Sequence, residues 1–159
     1  MINNDPSEAA AIKARILQKR ESYLRCDADG ALDVWLKSER ICCFDLGAAL
    51  QYFGYQALHT TTHQMVAGAV GPIDIDFGDP TIMVSSNLAC SWQILRVKAA
   101  QKGGRVTDIQ VRQTDVWNKV DGRWYIVHEH NSLPMQPGAA EAMLSLSDET
   151  MSKHPQKKL

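Results

Sequence analysis

The chain has 159 residues, 17 Lys+Arg against 18 Asp+Glu, and a formal net charge of −1. That length is about one domain, able to bury roughly two-thirds of its unfolded surface without a disulfide or metal staple. The even charge balance argues against nucleic acid or a membrane surface as partner, since both are held by excess lysine and arginine, and no run approaches the ~20 apolar residues of a membrane span.

The first fifteen residues lack the basic segment followed by an apolar one that marks a secretory leader. Cys26, Cys42, Cys43 and Cys90 form no CxxC pair, so reduced thiols in a cytoplasmic protein are expected. Asp5-Pro6-Ser7-Glu8 reads as a helix N-cap, a first-turn proline and a glutamate three residues after the cap. Ala9, Ile12, Ile16 and Tyr23 follow at helical spacing, with Leu17 and Leu24 beside them. Lys13, Arg15, Lys19 and Arg20 are expected on a solvated face. The helix should stop near Cys26. Asp27-Ala28-Asp29-Gly30 is a turn and second cap, leading to a short helix over 31–36. Residues 40–45 read as a buried strand, 47–54 as a loop, and 55–67 as a third helix with Leu58, Met65 and Val66 on its apolar side.

From Gly71 the pattern changes to strands. Ile73, Ile75 and Phe77 alternate with Asp74 and Asp76. Further strands are expected over 81–85, 88–99, 106–119 and 124–132, with Gly78-Asp79-Pro80, Lys102-Gly103-Gly104 and Asp121-Gly122 as turns. Pro134 and Pro137 should end the last strand. Residues 1–137 then form one domain and 138–159 a frayed, finally basic tail. Helices first and antiparallel strands second imply an α+β domain, a strongly curved sheet packed on N-terminal helices. The mouth of such a cone is a common small-molecule site.

The Asp121-Gly122 turn serves as a ruler. In a two-residue hairpin, Val120 faces Arg123 and pairing runs outward from there. Without a bulge, Asp115 lies opposite His128, Gln113 opposite His130, and Val111 opposite Ser132, on one face with Trp117 and Ile126. Arg112, Thr114, Val116, Tyr125, Val127 and Glu129 occupy the other. Opposed residues bring their Cβ atoms ~5 Å apart, so a carboxylate and two imidazoles form a candidate acid/base cluster. A β-bulge near His128 would shift this register.

Arg112-Gln113-Thr114-Asp115-Val116-Trp117, then Asp121-Gly122-Arg123-Trp124, then Ile126-Val127-His128-Glu129-His130-Asn131-Ser132-Leu133-Pro134 resembles the C-terminal signature of SnoaL-like domains of the nuclear transport factor two-like superfamily. The association domain of calcium/calmodulin-dependent protein kinase looks similar over the same stretch. The resemblance implies a cone-shaped, cystatin-like fold, a hydrophobic pocket and usually a homodimer. The family includes polyketide cyclases, steroid isomerases, dehydratases, epoxide hydrolases and non-catalytic modules. Asp45, in Phe44-Asp45-Leu46-Gly47, resembles the catalytic-base aspartate of the ketosteroid isomerases. Their second aspartate would fall at Val111, which cannot donate a hydrogen bond, and Tyr23 sits about one turn late for their tyrosine. A true steroid isomerase is therefore not expected. Nor is the epoxide hydrolases' Asp–Arg–Asp set, since the ruler puts Arg112 on the opposite face from Asp115.

The expected enzyme handles a small apolar carbonyl or cyclic compound without a cofactor. Asp45 or Asp115 takes a proton, and His128 or His130 donates one. Gln113, Trp117, Trp92 and Val111 are expected to line the ligand site. The alternative is a ligand-binding or dimerisation module of the same fold. His59 and His63 share one helix face and could be read as a metal site together with His128 and His130. No glutamate lies between them as in a zinc protease motif, and no metal is expected.

Overall fold

The computed structural model describes residues 6–47 and 49–133. The expected cap Asp5 and the tail over 138–159 lie outside the described residues. No described helix is long and apolar enough to cross a membrane.

Helix α1 (Pro6–Leu24) buries the stripe Ile12, Arg15, Ile16, Lys19, Ser22 and Tyr23, spaced three and four apart. Arg15 and Lys19 are thus buried, against the expectation of a solvated face. Their aliphatic stems cover core and their heads find acceptors. Arg15 bonds Gln18, Asp33 and the Trp124 carbonyl. Leu17 turns to solvent instead. The helix closes with the Asp27 N–H on the Ser22 carbonyl and the Cys26 N–H on the Tyr23 carbonyl. Cys26 takes the left-handed position, φ 56°, usually given to glycine in this closure.

Helix α2 (Ala28–Leu32) starts three residues before the expected 31, because the Asp27 side chain accepts the Gly30 N–H and caps it. Residues 34–36 are not helical. The Ile126 N–H bonds the Val34 carbonyl and the Leu36 N–H bonds the Ile126 carbonyl, so the segment joins the sheet. Strand β1 (Cys42–Phe44) follows, then β2 (Tyr52–Phe53) inside the stretch expected to be loop, and helix α3 (Tyr55–Gly68). The rest is β3 (Asp74–Asp76), β4 (Thr81–Ser85), β5 (Leu88–Ala100), β6 (Val106–Val120) and β7 (Arg123–Ser132).

The sheet runs β2-β1-β7-β6-β5-β3, with β4 also on β5. Its pairings are antiparallel except β1 on β7, which is parallel. The chain enters β1 from α2 instead of from a β7 hairpin, and that entry sets the direction. The architecture is the expected α+β cone, with α1 and α3 over the concave face. At the Asp121-Gly122 turn both residues have positive φ, 49° and 79°, the signature of a two-residue hairpin matched to strand twist. One main core joins the layers, with Ile12, Trp35, Trp117, Trp124 and Ile126 all at most 3% exposed.

A Cβ on Gly30 would stand 2.3 Å from Asp27 Oδ2 and 2.6 Å from Ser22 Oγ. Gly30→Ala must therefore displace the capping carboxylate or the buried serine. It is expected to lower unfolding free energy by about 1–2 kcal/mol, the worth of a lost cap, as read by urea denaturation.

Candidate functional site

Between α1, α3 and the concave face of β5, β6 and β7 lies a cavity of about 340 Å³, within the size range of small-molecule sites. Trp35, Leu58, Ile73, Phe77, Leu95 and Val111 supply apolar wall. Lys19, Tyr23, Asp45, Gln113, Glu129 and Asn131 supply the polar part.

The register of the β6–β7 hairpin decides which side chains reach it. Pairing follows the ruler from Val120↔Arg123 to Trp117↔Ile126, then shifts at a bulge, and Val116 pairs with His128. One extra residue on a strand exchanges the two faces beyond it. Asp115 therefore lies opposite Glu129, Gln113 opposite Asn131, and Arg112 opposite Ser132. The expected facing of Asp115 with His128 and of Gln113 with His130 is overturned. Both histidines point to the convex side, where each ring meets Phe44 edge-on at 5.0 and 5.6 Å. His128 Nδ1 lies 3.0 Å from the Cys42 carbonyl.

Ser91, Asp115, Glu129 and Cys43 form one buried row across four strands, with Cys43 and Glu129 lining the cavity and Ser91 and Asp115 beneath it. Two carboxyls side by side cannot both ionise cheaply. Burial opposes the Glu129 carboxylate, but the Lys19 ammonium outweighs it and holds Glu129 below its ordinary range. Lys19 Nζ lies 2.5 Å from Glu129 Oε2. Burial and the Glu129 charge push Asp115 well up. Burial works against the Lys19 charge, yet Glu129 keeps its pKa above the ordinary lysine value. Burial raises Tyr23 to about 12, leaving a phenol able to donate. Asp45 keeps solvent contact at the cavity edge, and the protein crowding its carboxyl raises its pKa.

Amide side chains link these groups. Gln93 Nε2 donates to Gln113 Oε1 at 2.6 Å and Gln113 Nε2 to Asn131 Oδ1 at 3.0 Å. Asn131 Nδ2 donates to Glu129 Oε1 at 2.9 Å and to Asp45 Oδ1 at 3.3 Å. Beneath them, Asp115 Oδ2 accepts from Ser91 Oγ and Gln93 Nε2, each at 3.4 Å. A chain of polar contacts thus runs from Asp45 down to Asp115.

The SnoaL-like domain family matches residues 12–136 of this sequence. This chain belongs to the SnoaL-like domain family. Solved structures agree on the fold. A nuclear transport factor two-like protein of unknown function from Pseudomonas putida superposes with a TM-score of 0.73 at 20% identity, covering 86% of this chain and 92% of its own. A nuclear transport factor two-like superfamily protein from Salmonella enterica gives 0.69 at 19% identity, covering 82% and 93%. A ketosteroid isomerase-like protein from Erwinia carotovora gives 0.67 at 15% identity, covering 84% and 100%. No curated protein matches the sequence significantly.

In this SnoaL-like domain the residues singled out from sequence divide. Asp45, Gln113 and Val111 line the cavity. Asp115 lies beneath it, fully buried. Trp117 does not line it either. Its ring is sealed in the core, and Nε1 donates to Ser91 Oγ at 2.9 Å. Trp92 sits on the convex side, 40% exposed, because the neighbouring Gln93 takes the inward place. Lys19, Tyr23, Glu129 and Asn131 line the cavity without having been expected there. The first two were legible, since positions 12, 16, 19 and 23 make one helical stripe. The other two required the bulge.

Lys19→Met should destabilise the domain by about 3–5 kcal/mol, since it leaves Glu129 buried and charged without its partner. Lys19→Met combined with Glu129→Gln should cost markedly less. Urea unfolding of the two single variants and the double variant checks the coupling.

Proposed function

We propose that this domain is a small-molecule enzyme that moves protons without a cofactor, on a small, mostly apolar carbonyl or cyclic compound. The observation that carries this reading is that a carboxyl and two strong hydrogen-bond donors line one largely apolar cavity. Asp45 is the base. Both hydrogen bonds described for its side chain fall on Oδ1, and its raised pKa brings it nearer the range useful for proton transfer at neutral pH. Tyr23 and Lys19, one helical turn apart, act on the substrate oxygen. As a proton leaves the carbon beside a carbonyl, negative charge gathers on that oxygen, and pre-placed donors in an apolar hollow stabilise it. Glu129 and Asp115 act through Lys19 as positioning groups. This replaces the histidine donors expected from sequence, which lie on the other face of the sheet.

A compound library screened by thermal shift, followed by turnover assays on the hits, tests the reading. Asp45→Asn and Tyr23→Phe are each expected to lower turnover by about 10²-fold or more, while His128→Ala keeps the parent rate. Full rate in both cavity variants would refute the assignment. Compounds that stabilise the protein yet never react would favour a ligand-binding module.

We also propose that two copies pair through the convex sheet face. Trp92, Thr114, His130 and Phe44 align in register across β5, β6, β7 and β1. Ile94, the next convex-face residue after Trp92, is 58% exposed. Exposed aromatic and aliphatic side chains on one sheet face favour association. Sedimentation should show a dimer that Trp92→Asp with Ile94→Asp converts to monomer. A monomeric parent chain would rule the pairing out.

A further inference from the structure

The structure assigns a divalent transition-metal site to Asp29 of α2 and to His59 and His63 of α3, outside the cavity. The three donor atoms lie within 4.8 Å of one another. Asp29 Oδ1 is 2.9 Å from His63 Nε2 and 3.7 Å from His59 Nε2. The two imidazoles lie 4.3 Å apart, 33° from parallel, so both present the same ring nitrogen to one carboxylate oxygen.

Hydrogen bonding accounts for only half of this. The 2.9 Å contact is a hydrogen bond, whereas 3.7 Å is too long for one. A tetrahedral ion with bonds of ~2.0–2.1 Å spaces its ligand atoms ~3.3 Å apart, and the two observed contacts straddle that figure. Two imidazoles and one carboxylate suit zinc, copper or nickel. They do not suit calcium or magnesium, which take oxygen ligands. With side chains 36%, 42% and 80% exposed for His59, His63 and Asp29, an ion can enter from solvent, and three protein ligands leave a position for water.

His128 and His130, the partners that sequence offered for this helix pair, are not its neighbours. Those two lie on the convex sheet face, and the third donor is Asp29 of α2, which packs against α3. An ion here would tie α2 to α3, the helix that supplies Leu58 and Thr62 to the cavity wall.

Calorimetric titration of the chelator-treated full chain with Zn²⁺ tests the assignment, alongside thermal unfolding with and without the metal. One ion per chain should bind at this site, raise the melting temperature, and be removed by chelator, whereas Mg²⁺ has no effect. His59→Ala, His63→Ala and Asp29→Asn should each weaken Zn²⁺ binding about tenfold or more and keep the metal-free melting temperature. His128→Ala and His130→Ala should bind as the parent does. No uptake by the parent chain would overturn the site. So would undiminished uptake by the His59→Ala/His63→Ala double variant. Loss in the histidine variants with parent-like binding by Asp29→Asn would overturn the three-donor arrangement.

Discussion

A single extra residue in β7 sets the chemistry of the concave face. Up to Ile126 the hairpin follows the register of its two-residue turn. At the bulge the ladder to β6 shifts, and the Ile126 amide and carbonyl are taken by Val34 and Leu36 on the other side. Val127 is the residue left without a partner in the ladder to β6. Beyond the bulge, Glu129 and Asn131 turn inward. A regular ladder would have presented His128 and His130 to the cavity and left Asp115 facing an imidazole.

That placement puts two carboxyls next to each other under an apolar hollow, and the buried ammonium of Lys19 makes the arrangement tenable. A buried pair of this kind is weak support for stability, since desolvation offsets most of the attraction. Its effect here is on charge state. Lys19 lowers the pKa of Glu129, and the Glu129 charge adds to burial in raising that of Asp115. The aromatic rings of Trp35 and Phe77 lie 5.5 and 5.8 Å from the ammonium, which adds cation–π attraction to an otherwise costly burial. Near the same cavity Tyr23 remains a donor and Asp45 a carboxyl with a raised pKa. The cavity therefore combines polar groups of different charge within mostly apolar walls, the condition under which placed dipoles act most strongly on a bound oxygen.

The convex side has a different composition. Phe44, Trp92 and Ile94 are exposed there with the two histidines among them. Strand alternation makes the two faces independent, so substitutions on one side change contacts outside the cone without entering the cavity.

Much of the fold was legible in sequence because its signals are local. The three helices, the long strands and the Asp-Gly turn follow from periodicity and turn chemistry, and the signature over 112–134 placed the chain in a superfamily. Asp45, Gln113 and Val111 could be placed at the cavity on the same basis. The polarity of α1 misled, because Arg15 and Lys19 look like solvent residues until their partners Asp33 and Glu129 are brought beside them by folding. His59 and His63 showed their common face, but Asp29 could join them only when α2 packed on α3. The bulge was the decisive gap. It lies between the Trp117–Ile126 and Val116–His128 pairs, and no local pattern near His128 marks it. Sequence alone determined the two long helices and the long strands, since those depend on near neighbours. Only the tertiary structure decided which side of the last strand faces the cavity, because a one-residue shift in strand pairing exchanges the two faces.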